Sequence, residues 1–236
     1  MLAGPVRAVL VALVVLAAAC GQPRVTDWLG PASEIAPGVQ LYRSTDTSLL
    51  EPAGPVVVHL LRLDPRRTRL ASVLSRDAVL GAETVGGMAA RHGAVAAING
   101  GFFNVGTGEP TGLLKVARQL VSDTGVARGA VVIRTADQVN TELLFDQISV
   151  RMTLAFEATG ETWAVPIDGV DTTRARGRLM LYTPAYHGDT DTAANGTEWA
   201  LSGDPLTVRE VRRDLGQTPI PQGGAVLSYG GLDLPA

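Results

Sequence analysis

The chain has 236 residues, 20 basic and 23 acidic side chains, 46% hydrophobic and 18% charged content, the composition of a folded globular protein and not of a disordered tail. A chain of this size can bury roughly 70% of the surface its unfolded form exposes, so the fold requires neither a metal nor a disulfide. The near-neutral balance, with no basic run, excludes an electrostatic footprint for nucleic acid.

Residues 1–20, MLAGPVRAVLVALVVLAAAC, carry one positive charge at Arg7 and an apolar run from Ala8 to Leu16. The run is too short to cross the hydrocarbon of a bilayer, so the segment reads as a secretory signal. Ala18-Ala19-Cys20-Gly21 is similar to a bacterial lipoprotein signal, in which the cysteine is acylated and becomes the new N-terminus; a plain signal peptide is the other reading. Two or more acyl chains on Cys20 make a stable membrane anchor. Cys20 is the single cysteine, so no disulfide within the chain is expected. Residues 21–37, with three prolines and no clear period, read as a tether, and residues 38–236 as the folded domain.

Within that domain the alternation of GVQLYRS (38–44), the apolar run PVVVHLLRLD (55–64) and TRLASVLS (68–75) predicts a three-stranded antiparallel meander. ETVGGMAARHG (83–93) predicts a helix with Val85, Met88 and Ala89 on one face and Gly93 at the C-cap. AVAAI (94–98) follows as a small buried strand. Further strands are expected at 112–116, 129–134, 143–154, 162–167, 178–183, 198–202, 206–212 and 225–230. Strands greatly outnumber helices, so the expected class is α+β, with a large mixed, mostly antiparallel sheet and few helices.

The stretch from Ala96 to Gly112, AAINGGFFNVGTGEPTG, holds five glycines and two adjacent phenylalanines. Asn99, Gly100 and Gly101 can adopt positive φ and bring backbone amides up to a ligand. Phe102 and Phe103 can anchor the loop and offer a stacking face to a sugar, and Glu109-Pro110-Thr111-Gly112 closes it in a turn. A structural hairpin whose glycines only make corners fits the same residues. Asp189, Asp191, Asn195 and Glu198 crowd one acidic loop, but Ala193 and Ala194 stand where a calcium loop needs a ligand and a glycine, so no metal is expected. His59 and His92 read as structural, and His187 is the histidine whose polar setting suits a general acid.

AAINGGFF with Pro110 and Gly112, LMLYTPAYHGDTDTAANGTEWAL (179–201) and TPIPQGGAVLSYGG (218–231) together resemble the phosphodiester glycosidase family, the N-acetylglucosamine-1-phosphodiester alpha-N-acetylglucosaminidase-like domain. The resemblance covers most of the chain after about Pro55. It implies hydrolysis of a glycosyl phosphodiester at the cell envelope, without a cofactor. By the same resemblance Asn99, Gly100, Gly101, Phe102, Phe103, Pro110 and Gly112 would contact the sugar phosphate. Asn99 would also serve catalysis, and Glu198, matching the family's Gly-Thr-Glu, would be the site acid or base. A strand-end glutamate paired with an arginine is the competing reading of Glu198. The family's later Asp-Gly-Gly-Gly-Ser turn does not occur here, so the chain reads as the N-terminal part of the family domain, with an open sheet edge on which another chain could pair. The alternative functions are a non-catalytic envelope lipoprotein that binds a glycan or a partner, and an inactive fragment of a split enzyme.

Overall fold

The computed structural model describes residues 29–49, 51–123, 126–137 and 140–231. The leader with Cys20 and all of the tether before Leu29 lie outside them. The chain divides into two units, one ending at Leu63 and one starting at Asp64, where the sequence reading expected one domain from residue 38.

The first unit is a three-stranded antiparallel sheet of β1 (Ser33–Ala36), β2 (Val39–Ser44) and β3 (Val58–Leu63), in that order. β1 and β2 are joined through Pro37-Gly38. Proline presets φ at the first turn position, and Gly38 takes φ 80° at the second. β2 pairs with β3 from Val39↔Leu63 to Ser44↔Val58, and Val39, Tyr42 and Ser44 are buried. The third strand of this sheet is therefore β1, from the segment read as tether, and not 68–75. After β3 the Asp64 carbonyl accepts from the Arg67 and Thr68 N–H groups, both at 3.0 Å, and the Asp64 carboxylate accepts from the Arg66 N–H. That turn satisfies its own backbone, and residues 68–74 continue without strand structure.

In the second unit α1 (Val85–Arg91) forms where the periodicity places it. Thr84 caps it, its hydroxyl accepting from the Gly87 N–H at 3.1 Å, and Gly93 leaves it with φ 61°. Val85, Met88 and Ala89 form the half-buried face, while Gly86 and Ala90 are exposed. Three hairpins follow: β4 (Leu114–Val116) with β5 (Gln119–Ser122), β6 (Arg128–Asp137) with β7 (Asn140–Ile148), and β8 (Met152–Ala158) with β9 (Glu161–Ile167). The single strand expected over 143–154 is two strands, since β7 ends its hairpin at Ile148 and β8 starts the next one at Met152.

The main sheet is built from β10 (Gly169–Val170), β11 (Leu179–Tyr182), β12 (Thr197–Ser202), β13 (Thr207–Arg213) and β14 (Ala225–Tyr229). Its order is β10-β11-β14-β12-β13, with β10 and β11 parallel and all other pairs antiparallel. Strand outweighs helix by 41% to 6%, so the class is α+β with mostly antiparallel sheet and few helices. The three inner strands alternate between two apolar faces. Met180, Tyr182, Ala200 and Val226 pack with Val79, Val121, Tyr186 and Ile220, whereas Leu179, Leu201 and Leu227 pack with Ile167 and Val170. Full burial of one such side chain contributes about 1.5–3 kcal/mol. Among the described residues no helix is long and apolar enough to cross a membrane.

Candidate functional site

The segment after α1 departs from its expected form. AVAAI is not a buried strand: Val95 is 61% and Ile98 79% exposed, and among the described residues no strand pairs with 94–98. An apolar run becomes a buried strand only with strands along its edges and cover on its faces, and among the described residues no strand flanks this one.

From Phe102 the chain forms a hairpin. The Thr111 N–H donates to the Phe102 carbonyl and the Asn104 N–H to the Glu109 carbonyl, each at 2.8 Å, with Phe103 bridged to Pro110. Its tip is held by Asn104, whose side-chain oxygen accepts from the Gly106 N–H at 2.9 Å and whose carbonyl accepts from the Gly108 N–H at 2.7 Å. The expected positive φ lies at Gly108 (89°) and Gly112 (102°), not at Asn99, Gly100 or Gly101. A Cβ on Gly108 would run into the Gly81 carbonyl, while Cβ atoms on Gly100 and Gly101 would meet open space. Glycine is thus required where the hairpin presses on the Val79–Gly81 segment, which is also tied to it by the Gly81 N–H on the Thr107 carbonyl.

The hairpin has two sides. Asn99, Gly100, Gly101, Phe102 and Phe103 outline a shallow depression of about 480 Å³ with mainly apolar walls; Phe102 is 89% exposed and available for stacking. On the other side a cavity of about 290 Å³ is lined by Asn104, Glu109, Thr111, Ser122, Asp123 and Thr172, with the backbone of Pro110 and Gly112, and no lining residue is basic. Glu109 is buried. The Thr107 hydroxyl donates to it at 3.1 Å and the Thr173 hydroxyl lies 3.0 Å from both its oxygens. Asp123, half-buried at the end of β5, accepts from the Val170 N–H at 3.4 Å. Burial raises its carboxyl above the ordinary 3.8, against the opposing backbone donors. Two carboxylates thus share a polar cavity behind the glycine-rich hairpin.

Glu198 is elsewhere. It sits on β12, paired to Ser228 of β14, and is fully buried. One oxygen accepts from the Thr192 hydroxyl at 2.8 Å and the Ser228 hydroxyl at 2.7 Å and lies 3.5 Å from the Arg174 guanidinium. The other accepts from the Thr190 hydroxyl and from the N–H and hydroxyl of Thr218. Arg174, itself 5% exposed, is completed by the Ser228 hydroxyl, the Ala193 carbonyl and the Asn195 side chain. Burial pushes the Glu198 carboxyl up, but the hydroxyl donors of Thr218, Ser228, Thr192 and Thr190 outweigh it and hold it below the ordinary 4.5. Both oxygens of this carboxylate are thus occupied by protein donors. The structure places Glu198 as a buried strand glutamate paired with Arg174, and does not bring it together with Asn99.

The remaining candidates are peripheral. His187 stands 3.7 Å from Asp189, with both groups at the surface, His92 is the C-cap of α1 beside Asp77, and His59 pairs with Arg43 across the β2–β3 ladder. Among the described residues no cluster of histidine, cysteine and carboxylate side chains is suited to a metal. Sequence reading passed over Glu109 and Asp123. Glu109 was in view within Glu-Pro-Thr-Gly, but only the fold shows that it points inward, and Asp123 carries no local signal because its partner lies on β10.

No family model and no curated protein matches the chain. Solved structures similar to it include the following two. A hypothetical protein from Synechocystis has a TM-score of 0.64 at 20% identity over 84% of this chain and 36% of its own. A protein from Burkholderia pseudomallei K96243, described as a "putative exported protein", has a TM-score of 0.61 at 21% identity over 76% of this chain and 42% of its own. The chain therefore spans less than half the length of either structure, and the likeness is one of fold.

Two stability measurements check these assignments. Glu198→Gln leaves the Arg174 guanidinium buried without its counter-charge and should lower the unfolding free energy in urea by about 3–5 kcal/mol. Because the folded carboxyl titrates below 4.5, its contribution is present above that pH and is lost as pH falls through the folded value, a dependence that Glu198→Gln should remove. Gly108→Ala, at positive φ against the Gly81 carbonyl, should cost about 1–3 kcal/mol, whereas Gly101→Ala should stay within about 0.5 kcal/mol of wild type.

Proposed function

We propose that the chain hydrolyses a glycosyl phosphodiester at the cell envelope, with the cavity of Glu109 and Asp123 as the reacting site. The observation that carries this reading is the placement of two carboxylates in one cavity directly behind the hairpin that resembles the phosphodiester glycosidase motif. Glycosyl transfer to water passes through an oxocarbenium-like centre, which carboxylates stabilise. A phosphomonoester leaves as a stable anion and requires little protonation, so the remaining demands are a base for the attacking water and a negative group near the anomeric carbon. Asp123, with its carboxyl raised by burial, suits the base. Its proton affinity moves toward the working pH, where proton acceptance is most efficient. Glu109, fixed by the Thr107 and Thr173 hydroxyls, suits the stabilising carboxylate. A lining without basic residues supports a neutral sugar, not the phosphate, beside Glu109 and Asp123.

Export rests on the apolar leader and on the name "putative exported protein" of the Burkholderia neighbour, and anchoring rests on Cys20. A Cys20→Ser variant expressed in a bacterial host should move from the membrane fraction to the soluble exported fraction.

Incubating the purified mature chain with a sugar-1-phosphodiester should release free sugar. Asp123→Asn and Glu109→Gln should each lower kcat/KM by about 10²–10⁴, and wild-type kcat/KM should rise with pH through a midpoint above the ordinary aspartate value of 3.8. No release at high protein concentration, with glycan binding retained, would replace this reading by that of a glycan-binding lipoprotein.

A further inference from the structure

Asp171 follows β10 directly, at 1% exposure and φ 48°, a backbone conformation that aspartate and asparagine tolerate better than other non-glycine residues. Its two carboxyl oxygens face Thr183, one accepting from the N–H at 2.6 Å and the other from the hydroxyl at 2.7 Å. Its own N–H donates to the Leu181 carbonyl at 2.9 Å. Asp171 does not line the cavity, but its neighbours on both sides meet it. The Val170 N–H donates to Asp123. Thr172 lines the cavity and its carbonyl accepts from the Tyr182 hydroxyl at 2.9 Å. The Thr173 hydroxyl holds Glu109. Four consecutive residues thus supply one partner to each carboxylate and a piece of wall between them, and two side chains fasten this segment at β11: Tyr182, through the Thr172 carbonyl, and Asp171, through both donors of Thr183.

We propose that Asp171 is a positioning residue for the cavity: by clamping Val170–Thr173 to Thr183 it sets where Glu109 and Asp123 stand. The coupling is a property of the structure itself, and only its effect on turnover rests on the hydrolytic reading above. It also gives the cavity a pH response. Burial holds the Asp171 proton up to about 7, against the Thr183 donors that favour ionisation. Of the titratable groups, Tyr182 on β11 and Tyr186 in the turn after it interact with Asp171, and Asp123 accepts from the adjacent Val170 N–H. A carboxyl whose folded value lies above its unfolded 3.8 contributes stability that is fully present below the unfolded value and is lost as pH rises through the folded one. The segment is therefore tightest in acid and loosest above neutrality.

Asp171→Asn separates position from titration. Its amide oxygen can accept from the Thr183 N–H, its NH₂ can donate to the Thr183 hydroxyl, and asparagine tolerates the positive φ. Hydrogen–deuterium exchange of the full chain, corrected for intrinsic rates, reads the coupling without any substrate. In wild type, peptides covering 169–173 and 107–111 should exchange about tenfold faster at about pH 8.5 than at about pH 5.5. In Asp171→Asn they should stay slow at both, and in Thr183→Val, which deletes the hydroxyl donor, they should be faster at both. Equal wild-type exchange at the two pH values, or the same response in Asp171→Asn, would overturn the proposal. So would a change confined to 169–173 that leaves 107–111 unmoved. A chain that releases no sugar yet shows the exchange pattern would refute the hydrolytic reading and keep the clamp.

Discussion

The buried Glu198 carboxylate is the constraint around which the second unit is organised. A charge without solvent is tolerated only when its lone pairs are filled and a counter-charge is near. Here the donors come from strand and loop alike: Ser228 from β14, Thr190 and Thr192 from the loop before β12, Thr218 from the loop before β14, and Arg174 from the segment before β11. This accounts for the threonines at 190 and 192. Each hydroxyl is a short donor that reaches the carboxylate without adding charge, and a valine of the same shape would leave an oxygen unfilled. Gly196 and Gly230 belong to the same arrangement, since a Cβ at either would strike the Arg174 guanidinium or the Ala175 carbonyl.

The anchor and the cavity are neighbours along the chain. Val170 to Arg174 touches Asp123, the cavity wall, Glu109 and Glu198 in turn. Arg174 is immobilised from the sheet side while Asp171 is held from Thr183, so the first half of the connection between β10 and β11, Asp171 to Arg174, is pinned at both of its ends. Such a connection suits a reacting site because positions set by packed strands drift less than positions set by free loops. It also means that damage to the anchor reaches the cavity through a single side-chain step, from Arg174 to Thr173.

Local chemistry made some features legible in the sequence and long-range partnership hid the rest. The Thr84 cap, the apolar face of α1 and Gly93 are contained within a dozen residues, and α1 forms where they place it. β11, β12 and β14 of the main sheet were readable as short apolar runs between turns, whereas the two-residue β10 was not. The exposed course of 94–98 was not, because an apolar run looks the same whether or not a neighbour covers it. Nor was β1, whose strand identity comes from its ladder to β2 and not from alternation. The role of Glu198 was undecided for a related reason. Arg174 is 24 residues away, and no spacing rule brings them together. Glu109 and Asp123 share a cavity through a hairpin and a strand end, a relation that only the tertiary structure contains.

The hairpin that bears the glycines is divided in its tolerance of change. On its inner side Gly108 meets the Gly81 carbonyl and Glu109 is clasped by two threonines, so nearly every substitution there disturbs something already packed. On its outer side Gly100 and Gly101 face open space without positive φ, and Phe102 and Val105 project from the surface. Sequence drift can therefore run freely through the rim while the floor is held still. A lineage carrying this hairpin could retune what the rim touches, residue by residue, without refolding the cavity beneath it.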